Sequence, residues 1–213
     1  DFDGIKLMLR PAPSHNKPPG DLRLGFSKAS KKQMAKRTAK KRDATYPDTY
    51  VVIDIETSGL IPEEHEIIEI GAVFVRAHDI KERFSALVRP ENAISPTIEE
   101  ITGITNTMLQ EEGINLSVAM REFMAFLKDY PVVAHNVDFD YSFLTKACAM
   151  CNLPLLSNRC IDTVVLSRRK VKQVNNYKLT TLATHFAIET IQAHRSLADC
   201  EITHQLFEKL IKL

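Results

Sequence analysis

The stretch Tyr50–Leu60, YVVIDIETSGL, constrains this chain more than any other. Val51, Val52, Ile53 and Ile55 form an apolar run that reads as a strand buried on both faces, as in a helix-covered sheet. Asp54 and Glu56 interrupt that run, and no Lys or Arg accompanies them within the strand. Side chains alternate along a strand, so both carboxylates point to one face. Two anions so placed in partly desolvated surroundings repel strongly: a cation joins them, one stays protonated, or the strand loses stability. A metal ion would supply that cation, and so would a distant arginine. Gly59 suits a chain reversal where backbone passes close to a ligand, and Thr57 has a hydroxyl and an N–H to offer the same ligand.

Around this strand the pattern is α/β. Strand-like segments at 50–55, 66–76 and 82–89 are joined by short turn-rich pieces, which predicts antiparallel neighbours. A helical turn near 95–104, a helix at 116–128 and a short strand at 131–134 follow. Helical periodicity then covers 138–151, 162–170, 179–187 and 196–212, the last with Ile202, Leu206 and Leu210 in register and Phe207 beside them. One mixed central sheet flanked by helices is expected.

Charge divides the chain. The net charge of +1 conceals 12 Lys and Arg against 5 Asp and Glu in residues 1–48, leaving 16 against 22 in the remaining 165 residues. Residues 1–48 therefore read as a basic N-terminal extension and 49–213 as the folded domain. Within the extension, PAPSHNKPPG at 11–20 should lack regular structure, and Ser27–Asp43 reads as a basic helix with little apolar surface to dock. A solvated tail and a patch that attracts phosphates are compatible readings of it.

No apolar run approaches the roughly 20 residues that span a bilayer, so no membrane association is expected. The first residues hold no apolar region of the signal-peptide kind. Cys148, Cys151, Cys160 and Cys200 fit free thiols in a reducing, cytoplasmic compartment. Cys148 and Cys151 form a CxxC pair, but no second pair follows at metal-binding distance and the pair lies in a helical pattern, which favours packing thiols over zinc.

Two further clusters bear on Asp54 and Glu56. In VVAHNVDFDYSFL, Val132–Leu144, polar residues appear where a strand ends and a helix begins. A helix N-terminus explains one of Asp138 and Asp140 as a capping acid, but explains less well both together with His135 and Asn136. In HRSLADCEIT, His194–Thr203, His194 precedes the last helix and Asp199 lies in its first turns. Each cluster alone has an ordinary explanation. Together they offer hard oxygen ligands without thiolates, a set that suits two Mg²⁺ or Mn²⁺ ions able to clamp a phosphodiester.

These residues resemble the DEDDh class of 3′→5′ exonucleases on the ribonuclease H-like fold, which includes the DNA polymerase III epsilon subunit and the proofreading domains of some bacterial replicative polymerases. Asp54-Ile55-Glu56-Thr57-Ser58-Gly59-Leu60 matches its first motif, Ala134 through Leu144 its second, and His194-Arg195 with Asp199 its third. ITGIT at 101–105, IDTVVLSRR at 161–169 and LTTLATHFAI at 179–188 are weaker echoes. The resemblance covers about residues 49–211. It implies that Asp54, Glu56, Asp140 and Asp199 bind the two ions and that Asp138 points outward. His194 would act as general base. Thr57, Gly59, Leu60, His135, Asn136 and Phe139 would line the nucleotide pocket, although Phe139 reads equally as core. It further implies release of nucleoside 5′-monophosphates from single-stranded or frayed DNA 3′ ends in proofreading or repair, with a DNA polymerase subunit as a candidate partner. An exoribonuclease carries the same ligands. From another class, a vestigial nucleic-acid-binding or polymerase-tethering module is the rival, against which the retention of every acid and of His194 weighs.

Overall fold

The computed structural model describes residues 46–190 and 194–213. The basic stretch at 1–45, with the helix expected at Ser27–Asp43, lies outside the described residues. Three strands come first: β1 (Thr49–Thr57), β2 (Ile67–Arg76) and β3 (Asp79–Leu87). Helices α1 (Pro96–Thr102), α2 (Asn106–Glu111) and α3 (Leu116–Leu127) follow, then β4 (Val132–Ala134) and α4 (Val137–Met150). β5 (Cys160–Asp162), α5 (Thr163–Lys170), α6 (Leu179–His185) and α7 (Ser196–Ile211) complete the domain.

The strands form one mixed sheet in the order β3-β2-β1-β4-β5. β1 pairs antiparallel with β2 and parallel with β4, and β5 runs parallel to β4. The expected mixed sheet is therefore present, with β1 at its centre. Two elements were not legible beforehand. β5 is three residues long with one buried apolar side chain, Ile161, too short to show a period. α2 is six residues and buries only Leu109, its start fixed by Thr105 accepting from the Met108 N–H at 3.1 Å.

Alternation along β1 divides the core. Val51, Ile53 and Ile55 face Phe123 and Leu127 of α3 and Phe143 and Leu144 of α4. Tyr50 and Val52 face the other way, toward Leu206, Phe207 and Leu210 of α7. Burying such side chains contributes about 1.5–3 kcal/mol each, so both helix layers are held firmly. Polar contacts fix the far half of α7. The Tyr50 hydroxyl donates to Glu208 Oε1 at 2.9 Å and lies 2.9 Å from His204 Nδ1. Among the described residues no helix is long and apolar enough to cross a membrane.

Candidate active site

Asp54 and Glu56 project from β1 on the face that α7 covers. Opposite Asp54 on β2 stands Gly71. A Cβ at Gly71 would lie 2.6 Å from both the carbonyl carbon and Oγ of Ser196, so only glycine lets the first turn of α7 rest on the sheet. That approach delivers Asp199: carboxylate oxygens of Asp54, Glu56 and Asp199 all lie within 4.8 Å of one another. Asp140, in the first turn of α4, is 3% exposed and is the charge that acts most strongly on Asp54. It stands outside the three-carboxylate convergence, with hydrogen bonds from the Ile55 and Asp140 backbone easing its burial.

The electrostatics are those of anions without a counter-ion. Burial, then Asp140, Glu56, Asp199 and Glu69, hold the Asp54 carboxyl well above the usual range. Burial, then the charges of Asp199 and Glu69, push Glu56 to about 8, with the Arg195 charge acting against them. Asp140 and Asp199 are raised too, in each case mainly by burial. A divalent cation would relieve all of these at once, and the donors are hard oxygens that suit one. Asp54, Glu56 and Asp199 could hold it.

The alternative counter-ion, an arginine, exists but is engaged elsewhere. Arg195 Nη2 donates to Glu69 Oε1 at 2.7 Å and its Nε to both oxygens at 3.2 and 3.3 Å. Glu69 also accepts the Ser196 N–H at 2.9 Å, which closes a free donor at the start of α7. Sequence reasoning missed this residue. The signal was available: Glu69 is an acid inside the apolar run IIEIGAV, opposite Glu56 in register, as anomalous there as Asp54 is in β1.

The remaining predicted residues fall in three places. His194 sits at φ 70, exposed, and its backbone N–H, 3.3 Å from Asp199 Oδ2, holds the Asp199 carboxyl down against the effect of burial. Asp138 is exposed, pointing outward as expected. At the end of β1 the Thr57 hydroxyl donates to the Gly59 carbonyl at 2.6 Å, so it shapes the turn rather than standing free. Gly59 lies under the His65 ring, which any Cβ there would strike. Leu60 beyond it is 80% exposed, an apolar side chain left in solvent.

His135 is occupied within the fold. Its Nδ1 lies 2.8 Å from Thr163 Oγ1 and its Nε2 2.9 Å from the Tyr177 carbonyl, and burial lowers its pKa, so it is a neutral ring with Nε2–H donating. Asn136 is exposed in the left-handed region, φ 73, ahead of α4. Phe139 packs on Phe143 with ring centres 5.2 Å apart, which fits the core reading. Cys148 is buried and Cys151 half-buried, and both are free thiols.

The RNase_T family model, described as an exonuclease, matches residues 51–207. The chain is 39% identical over 166 residues to the DNA polymerase III PolC-type of Bacillus subtilis, covering 78% of this chain and 12% of that one. It is 34% identical over 176 residues to the DNA polymerase III subunit epsilon of Aquifex aeolicus, covering 83% and 87%. The chain thus spans about an eighth of the PolC-type relatives and most of the epsilon subunit. Exonuclease X, solved with 5′ overhanging duplex DNA, superposes with a TM-score of 0.60 at 28% identity, over 76% of this chain and 91% of that one. E. coli Exonuclease I with a dT13 oligonucleotide gives 0.68 at 19% identity, over 78% and 41%, a likeness of fold.

Proposed function

The chain belongs to the RNase_T exonuclease family, and on that premise we propose that it is a metal-dependent 3′→5′ exonuclease of DNA. It releases nucleoside 5′-monophosphates one at a time from 3′-OH ends. The observation that carries this reading is the convergence of Asp54, Glu56 and Asp199 within 4.8 Å, with no cation among the described residues paired to them.

In this reading Asp54, Glu56, Asp140 and Asp199 hold a pair of Mg²⁺ or Mn²⁺ ions. Bound there, such ions would supply Lewis-acid stabilisation of the attacking and departing oxygens. The chain does the rest. His194, exposed beside Asp199, accepts the proton of the attacking water. Leu60 offers an apolar surface to the terminal base, on a turn held by the Thr57–Gly59 hydrogen bond. Asn136 faces the same edge of the sheet. His135 contributes by fixing the β4–α4 junction rather than by touching substrate.

We assign catalysis to residues 49–213. The basic residues 1–48 hold nucleic acid or a polymerase subunit against a body of opposite charge. DNA rather than RNA is favoured because the relatives are DNA polymerase III chains and the Exonuclease X structure contains DNA. An assay of 5′-labelled single-stranded DNA and RNA, with Mg²⁺ and with EDTA, tests this. A Mg²⁺-dependent ladder shortened from the 3′ end of DNA supports it. RNA-only cleavage would make the chain an exoribonuclease, and binding without cleavage would make it a tethering module.

A further inference from the structure

The sheet edge that carries the acids also carries a cleft that reaches past Asn136, away from the acid cluster. β1, β4 and β5 are parallel: Val52 pairs with Val133 and Ala134 with Asp162, so β4 and β5 end level with Ile53, one residue before Asp54. Beyond β4 and β5 opens a cleft of about 420 Å³, bordered by Asn136, Arg168, Tyr177 and Lys178. Tyr177 is held from two sides: its carbonyl accepts from His135 at 2.9 Å and its hydroxyl donates to the Val171 carbonyl at 3.3 Å. The Arg168 guanidinium lies 5.9 Å from the centre of the Tyr177 ring.

Arg168 and Lys178 are both exposed, and among the described residues neither pairs with a carboxylate. A helix dipole favours cations in the last turn of α5, which accounts for Arg168. It does not account for Lys178, which precedes α6. Two uncompensated cations beside a fixed aromatic ring, in a body with 16 basic against 22 acidic residues, make a local anion site. Cations that track phosphates and rings that meet bases are the means by which grooves hold single strands.

Strands lie about 4.8 Å apart, so β5 is on the order of 10 Å from β1. A stacked strand rises about 3.4 Å per nucleotide and covers that distance in roughly three. We infer that this cleft is a second subsite for the DNA strand: Arg168 and Lys178 take backbone phosphates about three nucleotides upstream of the scissile bond, and a base lies against Tyr177. The inference rests on the exonuclease reading of the acid cluster and extends it to how the strand is held.

The test compares wild type with the double variant Arg168→Ala, Lys178→Ala in the full chain. Both side chains are exposed, so a matching melting temperature is expected. The substrates are the p-nitrophenyl ester of thymidine 5′-monophosphate, too short to reach the cleft, and a long oligothymidylate. The variant should match wild type on the ester. On the oligomer its KM should rise roughly tenfold at unchanged kcat, and the slope of log KM against log salt should fall by about 0.7 for each phosphate that the variant no longer neutralises. Equal KM and salt slope on the oligomer overturn the subsite. An equal loss on ester and oligomer overturns it too, because the cations would then act on the reaction centre. If wild type cleaves neither substrate, the exonuclease reading itself falls and takes the subsite with it.

Discussion

Arg195 and Glu69 are joined by a two-pronged ion pair, Nη2 to Oε1 at 2.7 Å, which commits this guanidinium to Glu69 rather than to Asp54, Glu56 or Asp199. Glu69 is 1% exposed and lies opposite Glu56 in register. The arrangement leaves Asp54, Glu56 and Asp199 without an ion-paired side chain, the Arg195 charge offsetting Glu56 only in part, while it ties the start of α7 to β2.

Glu69→Gln removes the charge and keeps an acceptor for the Ser196 N–H. Arg195, partly exposed, then has Glu56 as its nearest uncommitted acid. Weakening the pair should cost on the order of 2–3 kcal/mol, a fall in Tm of roughly 5–10 °C for a domain of this size. The half-saturating Mg²⁺ concentration for activity should rise at the same time, since Arg195 now competes with the ions. A change in Tm alone would reduce Glu69 to a structural role.

Gly71→Ala tests the approach of α7. The new methyl would sit 2.6 Å from Ser196, so the helix must move off the sheet and carry Asp199 with it. Overpacking of this kind costs about 1–3 kcal/mol. Melting should show a modest loss, whereas kcat measured well below the melting range should fall by at least tenfold, the loss in rate exceeding what partial unfolding explains.

The acid cluster couples stability to pH and metal. Glu56 rises from an ordinary 4.5 to about 8, and Asp54 and Asp140 are raised in the same sense. A carboxyl that holds its proton more tightly when folded lends stability that is complete below its unfolded pKa and lost as pH rises through its folded one. In EDTA the Tm should therefore fall between about pH 5 and about pH 8.5. Mg²⁺ at about 100 times its Kd should add about 2.7 kcal/mol, or roughly 5–10 °C, and its increment should grow with pH because the ligands must be deprotonated. Calorimetry across that range checks both signs.

His194→Ala should lower kcat by roughly 10²–10⁴, the contribution of a general base, with Tm unchanged because the ring is exposed. Asp138→Asn should leave rate and metal dependence intact, in contrast to Asp140→Asn. Reversal of that pair would move the metal ligand from Asp140 to Asp138.

Much of this was legible because chemistry stood against pattern. Asp54 and Glu56 are conspicuous in an apolar strand, and α7 showed its buried face through Ile202, Leu206 and Leu210. Glu69 carried the same signal and was passed over because its partner, Arg195, is 126 residues away. Gly71 reads as an ordinary strand glycine until α7 lies across it. Thr57 and His135 have polar groups that suit a ligand, and only the fold shows these satisfied by Gly59, Thr163 and Tyr177. Pairings between distant segments cannot be read from local period, and that is where the sequence ran short.

The central claim is met most directly by anomalous diffraction from crystals grown with Mn²⁺. Two peaks roughly 4 Å apart, within coordination distance of Asp54, Glu56, Asp140 and Asp199 and lost in Asp54→Asn, are the predicted result. An empty map at those carboxylates, with Arg195 turned from Glu69 to neutralise them, would contradict it.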